Sequence, residues 1–190
     1  MWPISRRLGR SGFAVNNWGY RSLGRSIETH AARLAEFLQE IDRQAAGNEF
    51  HLVTHSMGGI IARTVFEQNS FKNLERVVML APPNRGSHAA RKMAPLFGWL
   101  TPSLRQLSDA PGSFVNRLPG SLDDFELGIV EAKKDRVIAP GYVRLDSDHE
   151  FAQVNGHHGV LTWYGETARL VESFLVHGSF SIAERQETIL

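Results

Sequence analysis

The chain has 190 residues, 42 % of them hydrophobic and 22 % charged, with a formal net charge of +1 and no cysteine. That length suffices for one domain with its own core, the near-neutral charge argues against nucleic acid as the main partner, and the lack of cysteine excludes a disulfide framework and thiol chemistry. No apolar run approaches the ~20 residues that span a bilayer and no secretory apolar segment opens the chain, so a reducing, cytoplasmic location is expected.

Trp2 to Leu8 reads as one or two helical turns, with Pro3 near the start where it is tolerated. Arg6, Arg7, Arg10, Arg21 and Arg25 all precede the first acid, Glu28. An Arg-rich, acid-poor start can be an organelle transit peptide, but Phe13 to Tyr20 carries a strand pattern, which argues for folded chain. The clearest helix runs from Ser26, its cap, to about Ala46, where Ile27, Ala31, Leu34, Leu38 and Ile41 form one stripe. Gly47-Asn48 ends it. Phe50 to Thr54 is an apolar strand that runs into Ser56 and then into a helix reaching about Asn69. Arg76 to Ala81 is a buried-strand run stopped by Pro82-Pro83. Residues 84–122 form a long Gly-, Pro- and Ser-rich stretch that holds Leu96, Phe97, Trp99, Leu100, Leu104 and Leu107. Such a stretch inside a compact domain is expected to be a binding loop or lid. Leu127 to Ala132 is a strand ending in Lys133-Lys134-Asp135, and a further strand lies around Glu150 to Val154. After the loop 155–159, Ala168 to Val176 forms the last helix, closed at Gly178, and the tail from 181 to 190 is expected to fray.

Strand and helix alternate almost throughout. The expected fold class is α/β, a mostly parallel sheet with helices on both faces, in a single domain over residues 1–180. Ligands of such sheets bind beyond the carboxyl ends of the strands.

Thr54-His55-Ser56-Met57-Gly58 sits where a strand turns into a helix. That is the setting of the nucleophile elbow, G-x-S-x-G, with threonine in place of the first glycine. The turn lifts the serine oxygen clear of the backbone, and the helix that follows aims its positive end at a developing oxyanion. A serine hydroxyl needs a base to take its proton, and the base needs a carboxylate to hold its tautomer. In such folds the chain order is Ser, acid, His. Asp135 ends a strand and fits the acid; Asp146 and Asp148 are rivals that precede the final strand. His157 lies between the last strand and the last helix, the expected address of the base, and His158 is adjacent. His55 is expected to serve packing. His30, His51, His88, His149 and His177 have no metal-ligand spacing, and neither metal nor cofactor is expected.

With these residues in place, the chain resembles the bacterial lipases and esterases of the α/β-hydrolase family over Trp2 to Phe180. Thr54-His55-Ser56-Met57-Gly58-Gly59 is similar to the A-H-S-M-G-G elbow of the small Bacillus-type lipases. Gly156-His157-His158-Gly159-Val160-Leu161 resembles their G-H-x-G-L-L segment, and Lys134-Asp135-Arg136-Val137-Ile138 resembles the segment carrying the acid. Leu80 to Ser87 is similar to the segment after the next strand. The resemblance implies a Ser56–Asp135–His157 triad, with His157 rather than His158 as base. It implies an oxyanion donor at the Met57 N–H and a small-molecule ester substrate with an apolar acyl chain shaped by residues 84–122. Acyl transfer, thioester hydrolysis, or a binding protein that kept the fold would use the same scaffold.

The family also places a strand ending in a His-Gly loop ahead of the helix at Trp2, and that loop supplies a second oxyanion donor. Nothing in the sequence before Met1 corresponds to it. The expectation is therefore an N-terminally truncated three-layer sandwich, with the strands at Phe13 and Phe50 either paired directly or left with unpaired backbone. Its catalysis would be impaired, since one donor is worth ~10²–10³ in rate.

Overall fold

The computed structural model describes residues 1–22, 24–98 and 101–181. Trp99, Leu100 and nearly all of the 181–190 tail lie outside the described residues. The elements are α1 (Trp2–Arg10), α2 (Ile27–Ala45), β1 (Phe50–His55), α3 (Met57–Phe66), β2 (Leu74–Leu80), α4 (His88–Phe97), α5 (Pro102–Gln106), α6 (Phe114–Arg117), β3 (Glu126–Ala132), β4 (Glu150–Val154), a 3-10 helix (His158–Trp163) and α7 (Gly165–His177).

The four strands form one parallel sheet in chain order, β1-β2-β3-β4. Val53 lies beside Val78, Val78 beside Gly128, and Gly128 beside Glu150. Parallel neighbours need a crossover between them, and that requirement sorts the helices onto the two faces. On one face Ile4 and Leu8 of α1 and Val171 and Phe174 of α7 pack against β2 and β3. On the other, Ile27, Leu34 and Leu38 of α2 meet Ile60, Ile61 and Val65 of α3. The alternating four- and three-residue spacing that makes the α2 stripe is thus the spacing that buries it. Ser26 caps α2 by accepting from the Thr29 N–H at 3.3 Å, and Gly178 closes α7 at φ 72°. No helix among the described residues is long and apolar enough to cross a membrane.

Two expectations are corrected. Phe13 to Trp18 is not a strand. Among the described residues no strand pairs the outer edge of β1, and this segment does not add to it. Its rings serve the two cores instead: Phe13 meets His51 edge-on at 5.9 Å, and Trp18 and Tyr20 pack with the α2–α3 layer. The helix after Ser56 stops at Phe66 rather than near Asn69, where the Asn69 N–H and side chain both donate to the Val65 carbonyl. Within residues 84–122, α4, α5 and α6 fold.

This inserted segment is tied at both ends. Ser87 caps α4 through the Ala90 N–H at 3.2 Å and donates its hydroxyl to the Val137 carbonyl at 2.7 Å. Arg63 of α3 is only 3 % exposed. It donates to the Asn84 and Pro119 carbonyls at 2.9 and 2.8 Å, joining α3 to the start and the end of the insertion. Burial pulls its guanidinium down to about 10. At Gly86 the chain adopts φ +91°, and an added Cβ would lie 2.5 Å from the Asp109 Cα, which is backbone and cannot swing away. Gly86→Ala is expected to lower stability by about 2–4 kcal/mol, from strain and overlap together. The urea midpoint measures it, and an unchanged midpoint would show that the insertion is not anchored there.

Candidate active site

Ser56 stands between β1 and α3 with φ 53° and ψ −126°, a conformation that side chains other than hydrogen rarely adopt. The strain is held from both sides: the Ser56 N–H donates to the Leu80 carbonyl at 2.8 Å, and the Ser56 carbonyl accepts from the Gly59 N–H at 2.9 Å. The elbow is tight at Gly59 and makes only ordinary contact at Gly58. A Cβ on Gly59 would meet the Pro82 side chain at 2.9 Å, and one on Gly58 would touch Thr54 at 3.7 Å. Thr54 itself is accommodated, 6 % exposed, with its hydroxyl near the Val78 carbonyl. The Met57 N–H opens α3 directly after the serine, where a helix has no internal acceptor for it.

Beyond β3 the chain turns at Asp135. Its Oδ1 accepts from the N–H groups of Val137 and Ile138 at 2.8 and 3.0 Å, which leaves Oδ2 free to face across the site. Oδ2 lies 2.7 Å from His158 Nδ1. His158 Nε2 lies 2.8 Å from Ser56 Oγ. Asp135 and His158 are well buried, with side chains 6 % and 11 % exposed. Burial by itself raises the Asp135 carboxyl, but the hydrogen bonds from His158 and from the Ile138 and Val137 amides outweigh it and hold the group below its ordinary value. An ionised Asp135 fixes the proton of neutral His158 on Nδ1 and turns the lone pair of Nε2 toward the serine hydroxyl.

The structure therefore brings together Ser56, Asp135 and His158, and it leaves out His157. His157 is exposed, and its Nδ1 donates to the Lys134 carbonyl at 3.0 Å. The physical reason is local. The backbone at His157 is extended (φ −102°, ψ 155°), and consecutive side chains of extended backbone point to opposite sides. Continuing from β4, Val154 and Gly156 are buried while Gln153, Asn155 and His157 are exposed. The alternation that buries Val154 carries His158 inward two steps later. That alternation, set by Val154 entering the core, outranks the local motif.

His55 holds a position beyond packing. Its Nε2–H donates to the His158 carbonyl at 3.1 Å, and the two rings lie 5.3 Å apart. Burial pushes this imidazole below its ordinary value, which suits a neutral donor. Of the rival acids, Asp146 pairs with Arg85 at 3.0 Å on the surface, and Asp148 lines a cavity at the opposite ends of β3 and β4. The insertion borders a cavity of about 490 Å³, lined by Arg63, Asn84, Asp109, Tyr142 and Arg144 among others. That space is polar and touches none of the three residues of the Ser–His–Asp cluster. Among the described residues no group of three or more His, Asp or Glu side chains could hold a metal ion.

A family model described as the alpha/beta hydrolase family matches residues 1–181. No curated protein matches the chain significantly. Among solved structures, the chain is similar to phospholipase PlaB from Legionella pneumophila in complex with thio-NAD. The identity is 19 % and the TM-score 0.58, over 74 % of this chain and 40 % of that one. It is similar to a Bacillus licheniformis lipase in mature form, at 19 % identity and a TM-score of 0.55, over 83 % of this chain and 76 % of that one. An extracellular α/β-hydrolase from a Paenibacillus species is 16 % identical with a TM-score of 0.59, over 91 % and 90 % of the two chains. These likenesses establish the shared fold. The chain spans two fifths of the phospholipase's length.

Proposed function

We propose that this chain, which belongs to the α/β-hydrolase family, is a serine carboxylester hydrolase acting through Ser56, His158 and Asp135. One observation carries the reading: an imidazole that bridges a serine hydroxyl at 2.8 Å and a buried carboxylate at 2.7 Å. Either contact alone occurs in many proteins. Both on one ring, at a strained strand–helix turn, make an activated nucleophile.

Ser56 Oγ attacks the ester carbonyl while His158 Nε2 takes its proton. The negative charge on the former carbonyl oxygen is met by the Met57 N–H, preset at the positive end of α3. Asp135 stabilises the imidazolium and keeps its orientation. His158 then protonates the departing alkoxide, leaving an acyl group on Ser56. Water, deprotonated by the same imidazole, attacks that acyl group and restores the serine. The lipase and phospholipase among the structural neighbours support an ester with an apolar acyl chain as the substrate class.

A fluorophosphonate probe tests the core of this reading. The full chain should be labelled at Ser56 and should hydrolyse p-nitrophenyl esters, and Ser56→Ala should lose both while keeping its circular dichroism spectrum. A wild-type chain that resists labelling, or a variant that labels equally, would refute an activated Ser56.

A further inference from the structure

Three segments surround the catalytic mouth: α1, the turn 133–137 and the stretch 156–163. They form one continuous surface. α1 packs against the 3-10 helix. The Lys134 N–H donates to the Gly156 carbonyl at 2.9 Å, and His157 returns a bond to the Lys134 carbonyl.

This surface has an unusual composition for one facing water. Trp2 is 62 % exposed, Trp163 63 % and Val160 42 %. Cations share this surface. Arg6 lies one helical turn from Trp2 with its guanidinium 5.3 Å from the ring centroid, and Lys133, Lys134 and Arg136 are all exposed. Among the described residues none of these four cations has an ion-pair partner. The three segments contain a single carboxylate, Asp135, whose side chain is buried and bonded to His158. After Trp163 the next exposed carboxylate in the chain is Glu166, in the opening turn of α7, and the half-buried Glu172 is held against α1 by Arg7.

We infer that this face docks on an anionic phospholipid surface. The occupant follows from charge and from side-chain type. Unpaired Lys and Arg are attracted to anionic headgroups, and tryptophan is the side chain that settles at the boundary between headgroup and acyl chain. A cation cluster alone would serve any polyanion, but exposed Trp and Val gain nothing from a phosphate backbone and gain burial in a lipid interface. His158 opens the 3-10 helix that carries Val160 and Trp163. Docking therefore sets the Ser56–His158 pair beside the lipid surface. The link to lipid esters rests on the function proposed above; the docking itself does not.

Co-sedimentation with vesicles tests the inference, using the full chain carrying Ser56→Ala so that no turnover is involved. The chain should bind vesicles of phosphatidylcholine with phosphatidylglycerol, bind phosphatidylcholine alone far less, and lose binding as salt rises. Trp2→Ser with Trp163→Ser should weaken binding about tenfold or more, and Lys133→Glu or Arg6→Glu about fivefold or more. Neither set should alter the turnover of a short water-soluble ester by the chain with Ser56 intact. No binding to the anionic vesicles at low salt would overturn the inference. So would binding that ignores the Trp changes, or capture by heparin that equals capture by vesicles. A chain that binds vesicles but resists the fluorophosphonate probe keeps the docking face and refutes the esterase; the opposite pair of results does the reverse.

Discussion

Replacing His158 by alanine should cut ester turnover ~10³-fold or more, whereas His157→Ala should leave turnover near wild type. His158 is the ring that touches both Ser56 Oγ and Asp135 Oδ2, and without it the serine has no group to receive its proton. His157 points to solvent and bonds only a backbone carbonyl. The loss should appear in kcat rather than KM, because the bond to the serine is used in the transition state and not in holding the substrate. Fluorophosphonate labelling should slow in parallel. The reverse ranking of the two variants would return the base to His157 and mean that the segment after β4 adopts a different alternation in solution.

Asp135→Asn should be as severe, ~10³–10⁴-fold in kcat, through the tautomer. The asparagine Oδ1 can still accept from the Val137 and Ile138 amides, so the turn should survive. The Nδ2 would then face His158 Nδ1 with a donor. The imidazole would have to accept on Nδ1 and carry its proton on Nε2, aimed at Ser56, and that tautomer cannot take the serine proton. The same site has a stability signature. The folded Asp135 carboxyl lies below its ordinary value, so the unfolded chain binds its proton more readily than the folded one. The resulting contribution is fully present above the ordinary Asp value of about 3.9 and is lost as pH falls through the lower folded value. The stability gap between wild type and Asp135→Asn should thus be largest near neutrality and narrow below about pH 4. Urea unfolding at both pH values measures it. A gap that widens in acid would contradict the ionised, hydrogen-bonded carboxylate.

Much of this protein was legible in the chain itself. The four- and three-residue steps from Ile27 to Leu38 dictate a helix with one buried side. The apolar run Val77 to Leu80 dictates a strand covered on both faces, and their alternation with further helices dictates a parallel sheet. Ser56 and Asp135 were readable because each sits at a strand end, where the local sequence alone forces the turn. Other features depend on what lies across space. Whether Phe13 to Trp18 becomes a strand depends on a neighbour to accept its backbone, and no local propensity supplies one. Arg63 reads as an ordinary helix cation, yet the fold buries it against carbonyls from both ends of an insertion more than 20 residues away in sequence. The choice between His157 and His158 was decided by the direction in which β4 presents its side chains, a parity set by Val154 entering the core. Adjacent residues share a sequence context and differ only in the side of the strand they face, and that side is fixed by packing.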